Sequence, residues 1–216
     1  MKRELHDQIA GALAEVKERH PRVVGKEDSI TENLGNAMER HLRGQNDDFE
    51  WATRTTVLPS QKKAGREGEP ELGADMIIEV SVESTTGGTK HKSILVQGKR
   101  PKDSRNKDLR EQCEKMGTKG KHIVVEYGDD GYTAIPANAI NPVDGTVAKA
   151  KKAGSARTLQ EALGKDFLNC TLGERDMTYE DGKLTLIQRG AMVTKEFLAS
   201  VSTRTTIKRR RWAGKA

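Results

Sequence analysis

Asp75, Gln97 and Lys99 carry the residue types and spacing in this chain that could do chemistry together. Asp75 opens an apolar run, and Gln97 and Lys99 close another, in GADMIIEVSVESTTGGTKHKSILVQGK. Residues 76–82 and 94–97 are rich in β-branched side chains, and the turn formers Thr85, Thr86, Gly87 and Gly88 lie between them. That pattern predicts a β-hairpin. Side chains alternate between faces along a strand, so a register pairing Asp75 with Gln97 or Lys99 centres the turn on Thr86 or Gly87 and puts all three polar groups on one surface. A slip of one residue separates them. A carboxylate, an amide oxygen and an ammonium at neighbouring strand ends are the parts needed to hold Mg²⁺ and a phosphate together.

The elements around the hairpin follow from apolar periodicity. Leu5, Ile9, Leu13 and Val16 recur at helical spacing and predict a helix over 3–19, ended by His20-Pro21. Ser-Ile-Thr-Glu at 29–32 reads as a capping box, with Ser29 as N-cap and Glu32 reaching back; Ile30, Leu34, Met38 and Leu42 form the stripe of the second helix. Residues 49–58 predict a strand closed by Pro59, followed by a Lys-, Gly-, Glu- and Pro-rich loop. After the hairpin, Asp103 or Ser104 caps a helix to Met116 whose buried stripe is Leu109, Cys113 and Met116, with Gln112 on its border. Residues 122–127 and 132–135 are strands joined by a Gly-Asp-Asp-Gly turn. Helix, strand, hairpin, helix, strand, strand is the order of an α/β domain with a mixed β-sheet flanked by helices.

Beyond Pro142 the pattern weakens to a linker or loose helix, a short helix marked by Leu159, Ala162, Leu163, Phe167 and Leu168, and a hairpin turning on Asp181-Gly182. The expected organisation is an α/β core over 1–142, a small C-terminal α+β extension over 143–203 and a basic tail over 204–216. The net charge is +6 and unevenly spread: residues 204–216 hold six basic residues and no acid, and residues 99–121 hold nine basic residues against four acids. Such clustering favours a polyanionic partner.

Some chemistries are disfavoured. No apolar run approaches the roughly 18 residues that span a bilayer, and the N-terminus carries acid where a secretory signal would be apolar, so the expected compartment is the cytoplasm. Cys113 and Cys170 lack C-x-x-C spacing and read as reduced thiols. The five histidines are scattered, without zinc-ligand spacing. There is no phosphate-loop motif and no nucleophile elbow.

A helix carrying Glu32, then Gly73-Ala74-Asp75, then Ile94-Leu95-Val96-Gln97-Gly98-Lys99-Arg100, then a helix with Gln112, resembles the restriction-endonuclease-like superfamily of PD-(D/E)xK nucleases. The Gln-x-Lys-Arg ending is similar to its Mrr-like branch. The resemblance covers roughly residues 28–136 and implies a restriction-endonuclease-like core with a Mg²⁺-dependent nuclease site. It makes Asp75 a metal ligand through its carboxylate, and makes Gln97 a ligand through its amide oxygen or the group that orients a metal-bound water. Lys99 would position the attacking water and stabilise charge on the phosphate. The superfamily more often has an acid where Gln97 stands, and Glu32 could restore the missing charge. Arg100, Lys102, Arg105 and Gln112 become nucleic-acid contacts.

The function expected on these grounds is an endonuclease of restriction or genome-defence type, acting on DNA, with RNA not excluded. Double-strand cutting would call for two sites, hence a homodimer, and target choice could lie with a partner protein. Two other readings stay open: a non-catalytic nucleic-acid-binding protein on the same fold, and a small protein whose basic tail binds an acidic partner.

Overall fold

Amphipathic spacing builds the first layer. The computed structural model describes residues 2–23, 27–60, 68–101, 107–128, 131–140, 145–188, 191–194 and 206–207. Helix α1 spans Lys2–Val23 and α2 spans Glu27–His41. Leu5, Ile9, Ala12 and Val16 of α1 are buried with Ile30, Leu34, Met38 and Leu42. Both helix boundaries correct the sequence reading. The first helix continues through His20-Pro21, because a proline in the last turn forfeits only one backbone bond. The second begins at Glu27, so Ser29 lies inside it and is not the N-cap; its carbonyl accepts from Asn33 Nδ2 at 2.7 Å.

Then come β1 (Gly44–Gln45), β2 (Phe49–Val57), the short α3 (Glu69–Leu72), β3 (Met76–Ser84), β4 (Thr89–Lys99), α4 (Lys107–Gly117), β5 (Ile123–Gly128) and β6 (Gly131–Pro136). The remainder is α5 (Val147–Lys152), β7 (Arg157–Thr158), α6 (Leu159–Glu161) running into a π-helical segment Ala162–Phe167, then β8 (Glu174–Arg175), β9 (Met177–Glu180), β10 (Lys183–Gln188), β11 (Ala191–Thr194) and β12 (Thr206–Ile207). The main sheet runs β1-β2-β3-β4-β5-β6-β7, with β8 also pairing β4. Its pairings are antiparallel except β4 with β5, which are parallel. A parallel pair needs a crossover, and α4 supplies it. The mixed, mostly antiparallel sheet flanked by helices is therefore the one the order of elements predicts.

Alternation divides the sheet into two buried faces. Met76, Ile78, Ile94, Val96, Ile123 and Val125 pack against α1 and α2. Ile77, Leu95 and Val124 pack on the other side with Leu109, Cys113 and Met116 of α4 and Val147 and Ala150 of α5. After Pro142, β7 and β8 join the same sheet by pairing with β6 and β4, while β9 to β12 form a second, four-stranded sheet. The hairpin expected at Asp181-Gly182 forms between β9 and β10, with positive φ at both residues (53° and 80°) as a type I′ turn requires. It docks through Glu79, whose Oε1 accepts from Thr178 Oγ1 at 2.7 Å and from Tyr179 N at 2.8 Å. Arg54 completes the clamp, with its Nη2 2.7 Å from Glu79 Oε2 and 2.7 Å from the Tyr179 carbonyl oxygen. Both cysteines are free. Among the described residues, no helix is long and apolar enough to cross a membrane.

The cap at Asp103 or Ser104, Asp129 and Asp130 of the expected turn, most of the loop after Pro59, and all of the basic tail except Thr206 and Ile207 lie outside the described residues.

Candidate active site

The hairpin register decides whether Asp75 and Gln97 meet. β3 and β4 pair with Met76 opposite Val96 and Ile78 opposite Ile94, which sets Asp75, one residue further out, across from Gln97 and centres the turn on Thr86. This is one of the two registers that unite the polar groups. Gln97 Nε2 donates to Asp75 Oδ2 at 2.6 Å, and the Gly98 backbone N–H donates to the same oxygen at 2.8 Å. Two features hold Asp75 at this height. Its N–H donates to the Val96 carbonyl at 3.0 Å and its carbonyl accepts from Leu58 N–H at 2.7 Å, while Gly73 lets the chain enter β3 with φ +69° hard against the Gln112 backbone. A Cβ on Gly73 would lie 2.3 Å from the Gln112 carbonyl oxygen.

Gln97 is fully buried. Its amide orientation is settled by chemistry: Nε2 faces the Asp75 carboxylate and, at 3.1 Å, the Gly98 carbonyl, both acceptors, so the nitrogen must point there. That leaves Oε1, a buried acceptor with no hydrogen-bond partner among the described residues. Buried polar atoms are nearly always satisfied, and this amide oxygen, one of five such side-chain atoms among the described residues, offers an acceptor to an electropositive group. Mg²⁺ suits this donor set, since it takes one or two protein oxygens and completes its shell with water and phosphate oxygens.

Lys99 is half-buried at the end of β4. Its neighbour across the parallel ladder is Glu126 of β5. Glu126 is 7% exposed, and its Oε1 accepts from Lys151 Nζ of α5. On α4, burial pushes the Cys113 thiol up to about 12, and the Lys99 charge pulls it the other way. Gly98, between Gln97 and Lys99, approaches the opposite layer closely. A Cβ there would lie 2.7 Å from Tyr127 Oη and 2.9 Å from Thr31 Oγ1, two atoms that hydrogen-bond each other at 3.0 Å and tie α2 to β5.

The other expected residues are placed as follows. Glu32, on the exposed side of α2, lines a cleft of about 660 Å³ with Thr56, Val57, Leu58, Pro59, Tyr179, Asp181 and Gly182. That cleft adjoins the site through Leu58, but its lining does not include Asp75, Gln97 or Lys99. Among the described residues, no three His, Cys, Asp or Glu side chains are grouped to hold a metal ion. Arg100 is half-buried just beyond Lys99, and Gln112 is half-buried on α4 against Gly73. Lys102 and Arg105 lie outside the described residues. Sequence reasoning missed Gly73 as a positioning residue, and it missed the Glu126–Lys151 pair. The signal for the latter was present: Glu126 is the one charged residue in the strand IVVEYG.

No family model, curated protein or solved structure matches this chain.

Proposed function

We propose that this chain is a Mg²⁺-dependent nuclease that hydrolyses phosphodiester bonds in DNA, an endonuclease of restriction or genome-defence type. The observation that carries the reading is the Gln97 side chain, which is fully buried, donates to Asp75 and leaves its own amide oxygen without a partner among the described residues, two positions before Lys99 on the same face. The resemblance to PD-(D/E)xK nucleases supports it, as does the mixed sheet that brings these residues to one set of strand ends.

Each residue has a role in this reading. Asp75 and Gln97 would hold Mg²⁺, which when bound supplies positive charge to the phosphate oxygens. Gln97 also fixes the Asp75 carboxylate through its amide N–H. Lys99 stabilises charge building on the phosphate and orients the attacking water, an electrostatic contribution worth most where solvent is excluded. The buried strands Ile77 and Leu95 keep the constellation rigid from below.

Nicking of supercoiled plasmid in Mg²⁺ tests the reading. The wild type is expected to nick, and Asp75→Ala and Lys99→Ala to lower the rate by about 10²-fold or more while DNA affinity persists. A wild-type protein that binds DNA without cutting it in Mg²⁺ or Mn²⁺ would transfer the assignment to a non-catalytic nucleic-acid-binding protein. Equal cutting by the variants would remove these residues from the chemistry.

A further inference from the structure

We propose that α5 is a phosphate-binding element that continues the candidate site sideways from Lys99, taking the sugar-phosphate backbone next to the bond to be cut. The proposal rests on the nuclease reading for the identity of the polyanion, and on its own observations for the surface.

Residues 146–158 hold four basic residues and no acid. Within them α5 forms a single capped segment, in which Thr146 Oγ1 accepts from Lys149 N–H at 3.1 Å. Val147 and Ala150 are buried and seat the helix on the face of the sheet that carries Asp75, Gln97 and Lys99. With that side buried, Lys149, Lys151 and Lys152 are left exposed. Lys149 and Lys152, three apart on a helix, share one side. Lys151 leans to the sheet and bonds Glu126.

Glu126 makes this more than a solvated run of lysines. It is 7% exposed, lies opposite Lys99 in the ladder and is bonded by Lys151, so the same buried carboxylate stands between the candidate catalytic lysine and α5. Neighbouring strands are about 5 Å apart, so Glu126 and the Lys151 bonded to it flank Lys99, and α5 borders the path of a strand bound there. Glu126 thus fixes the height of α5 against Lys99, and Lys149 and Lys152 present charge outward. The helix exposes alanines and lysines with no large apolar side chain, which suits a phosphate backbone and not insertion into a lipid surface.

The test is the salt dependence of binding to a short labelled DNA duplex, read by fluorescence anisotropy in EDTA so that cutting plays no part. Two variants are compared with the wild type: Lys149→Gln/Lys152→Gln, which leaves the Glu126–Lys151 pair intact, and the triple variant that adds Lys151→Gln. Each lost phosphate contact flattens the slope of log Kd against log salt by about 0.9, so the double variant is expected to lose about 2, with affinity weakened at least about tenfold, and the triple no more than that, because Lys151 is engaged by Glu126. An unchanged slope in the double variant, whatever the triple does, overturns the proposal and leaves the nuclease reading standing. A flattened slope in a protein that never nicks DNA supports the proposal and removes the nuclease reading. No binding by the wild type overturns both.

Discussion

Gln97 Nε2 and Asp75 Oδ2 lie 2.6 Å apart across the β3–β4 ladder, and the Gly98 N–H donates to the same carboxylate oxygen. This makes an amide, and not a second acid, the residue that fits position 97 when no cation is bound. A carboxylate there would face both Asp75 and the Gly98 carbonyl with acceptors alone.

Gln97→Glu is therefore expected to destabilise the metal-free protein by about 1–3 kcal/mol, through a buried carboxylate in contact with the half-buried carboxylate of Asp75. Mg²⁺ should restore part of that loss at lower concentration than the wild type needs, because the site gains a negative charge. Thermal melts with and without Mg²⁺ read both effects. A variant as stable as the wild type in EDTA would show that the two side chains do not meet.

Gly73→Ala forces a Cβ to 2.3 Å from the Gln112 carbonyl oxygen at φ +69°, whereas Gly88 at the hairpin tip, φ +95°, has nothing within 4 Å. The backbone strain is shared, but the clash is not. Gly88→Ala should cost about 1 kcal/mol and Gly73→Ala about 2–4, with Asp75 displaced. Denaturant unfolding of the pair measures the difference, and equal costs would mean that α4 does not press on the entry to β3.

The clamp on the β9–β10 hairpin is Arg54 with Glu79, whose side chains are 54% and 8% exposed. Removing the half-exposed guanidinium leaves a buried carboxylate with only Thr178 and Tyr179 as donors. Arg54→Ala should lose about 1–3 kcal/mol, and Arg54→Lys should recover part of it without the second bond to the Tyr179 carbonyl. Hydrogen exchange at the β9 amides should quicken in Arg54→Ala before exchange at β3 does. Uniform exchange through both strands would argue against a local clamp.

His122 links stability to pH. It is 1% exposed, its Nδ1 accepts from Leu95 N–H at 3.2 Å, and burial lowers its pKa from 6.5 to about 4. The folded protein therefore keeps it neutral where the unfolded chain takes up a proton. Stability is unaffected by this residue above about pH 6.5 and falls as the pH drops to about 4, by at most about 3 kcal/mol. His122→Asn, which keeps an acceptor for Leu95 N–H, should flatten the acid limb of a stability–pH profile. An unchanged limb would place the acid sensitivity elsewhere.

What the amino-acid sequence determined by itself is what short-range spacing encodes. Alternation and the Thr-Thr-Gly-Gly turn specify the central hairpin, a stripe at 109, 113 and 116 specifies α4, and Asp181-Gly182 specifies the late turn. The pairing of Asp75 with Gln97 was legible as one of two registers, because a period of two ties side-chain face to turn position. Local signals also misled: Pro21 read as a stop and Ser29 as a cap, although both lie within helices that extend past them. Only the tertiary structure decided which register holds and that Gly73 packs on Gln112. The same is true of Glu126, which lies between Lys99 and Lys151 in contacts that cross from β4 to β5 to α5. Those relationships depend on a parallel pairing and a crossover, which join residues distant in the chain and leave no periodic trace along it. Position 97 combines the two: its residue type was plain in the sequence, but the orphaned oxygen that gives it chemical meaning exists only once Asp75 and Gly98 have claimed the amide nitrogen.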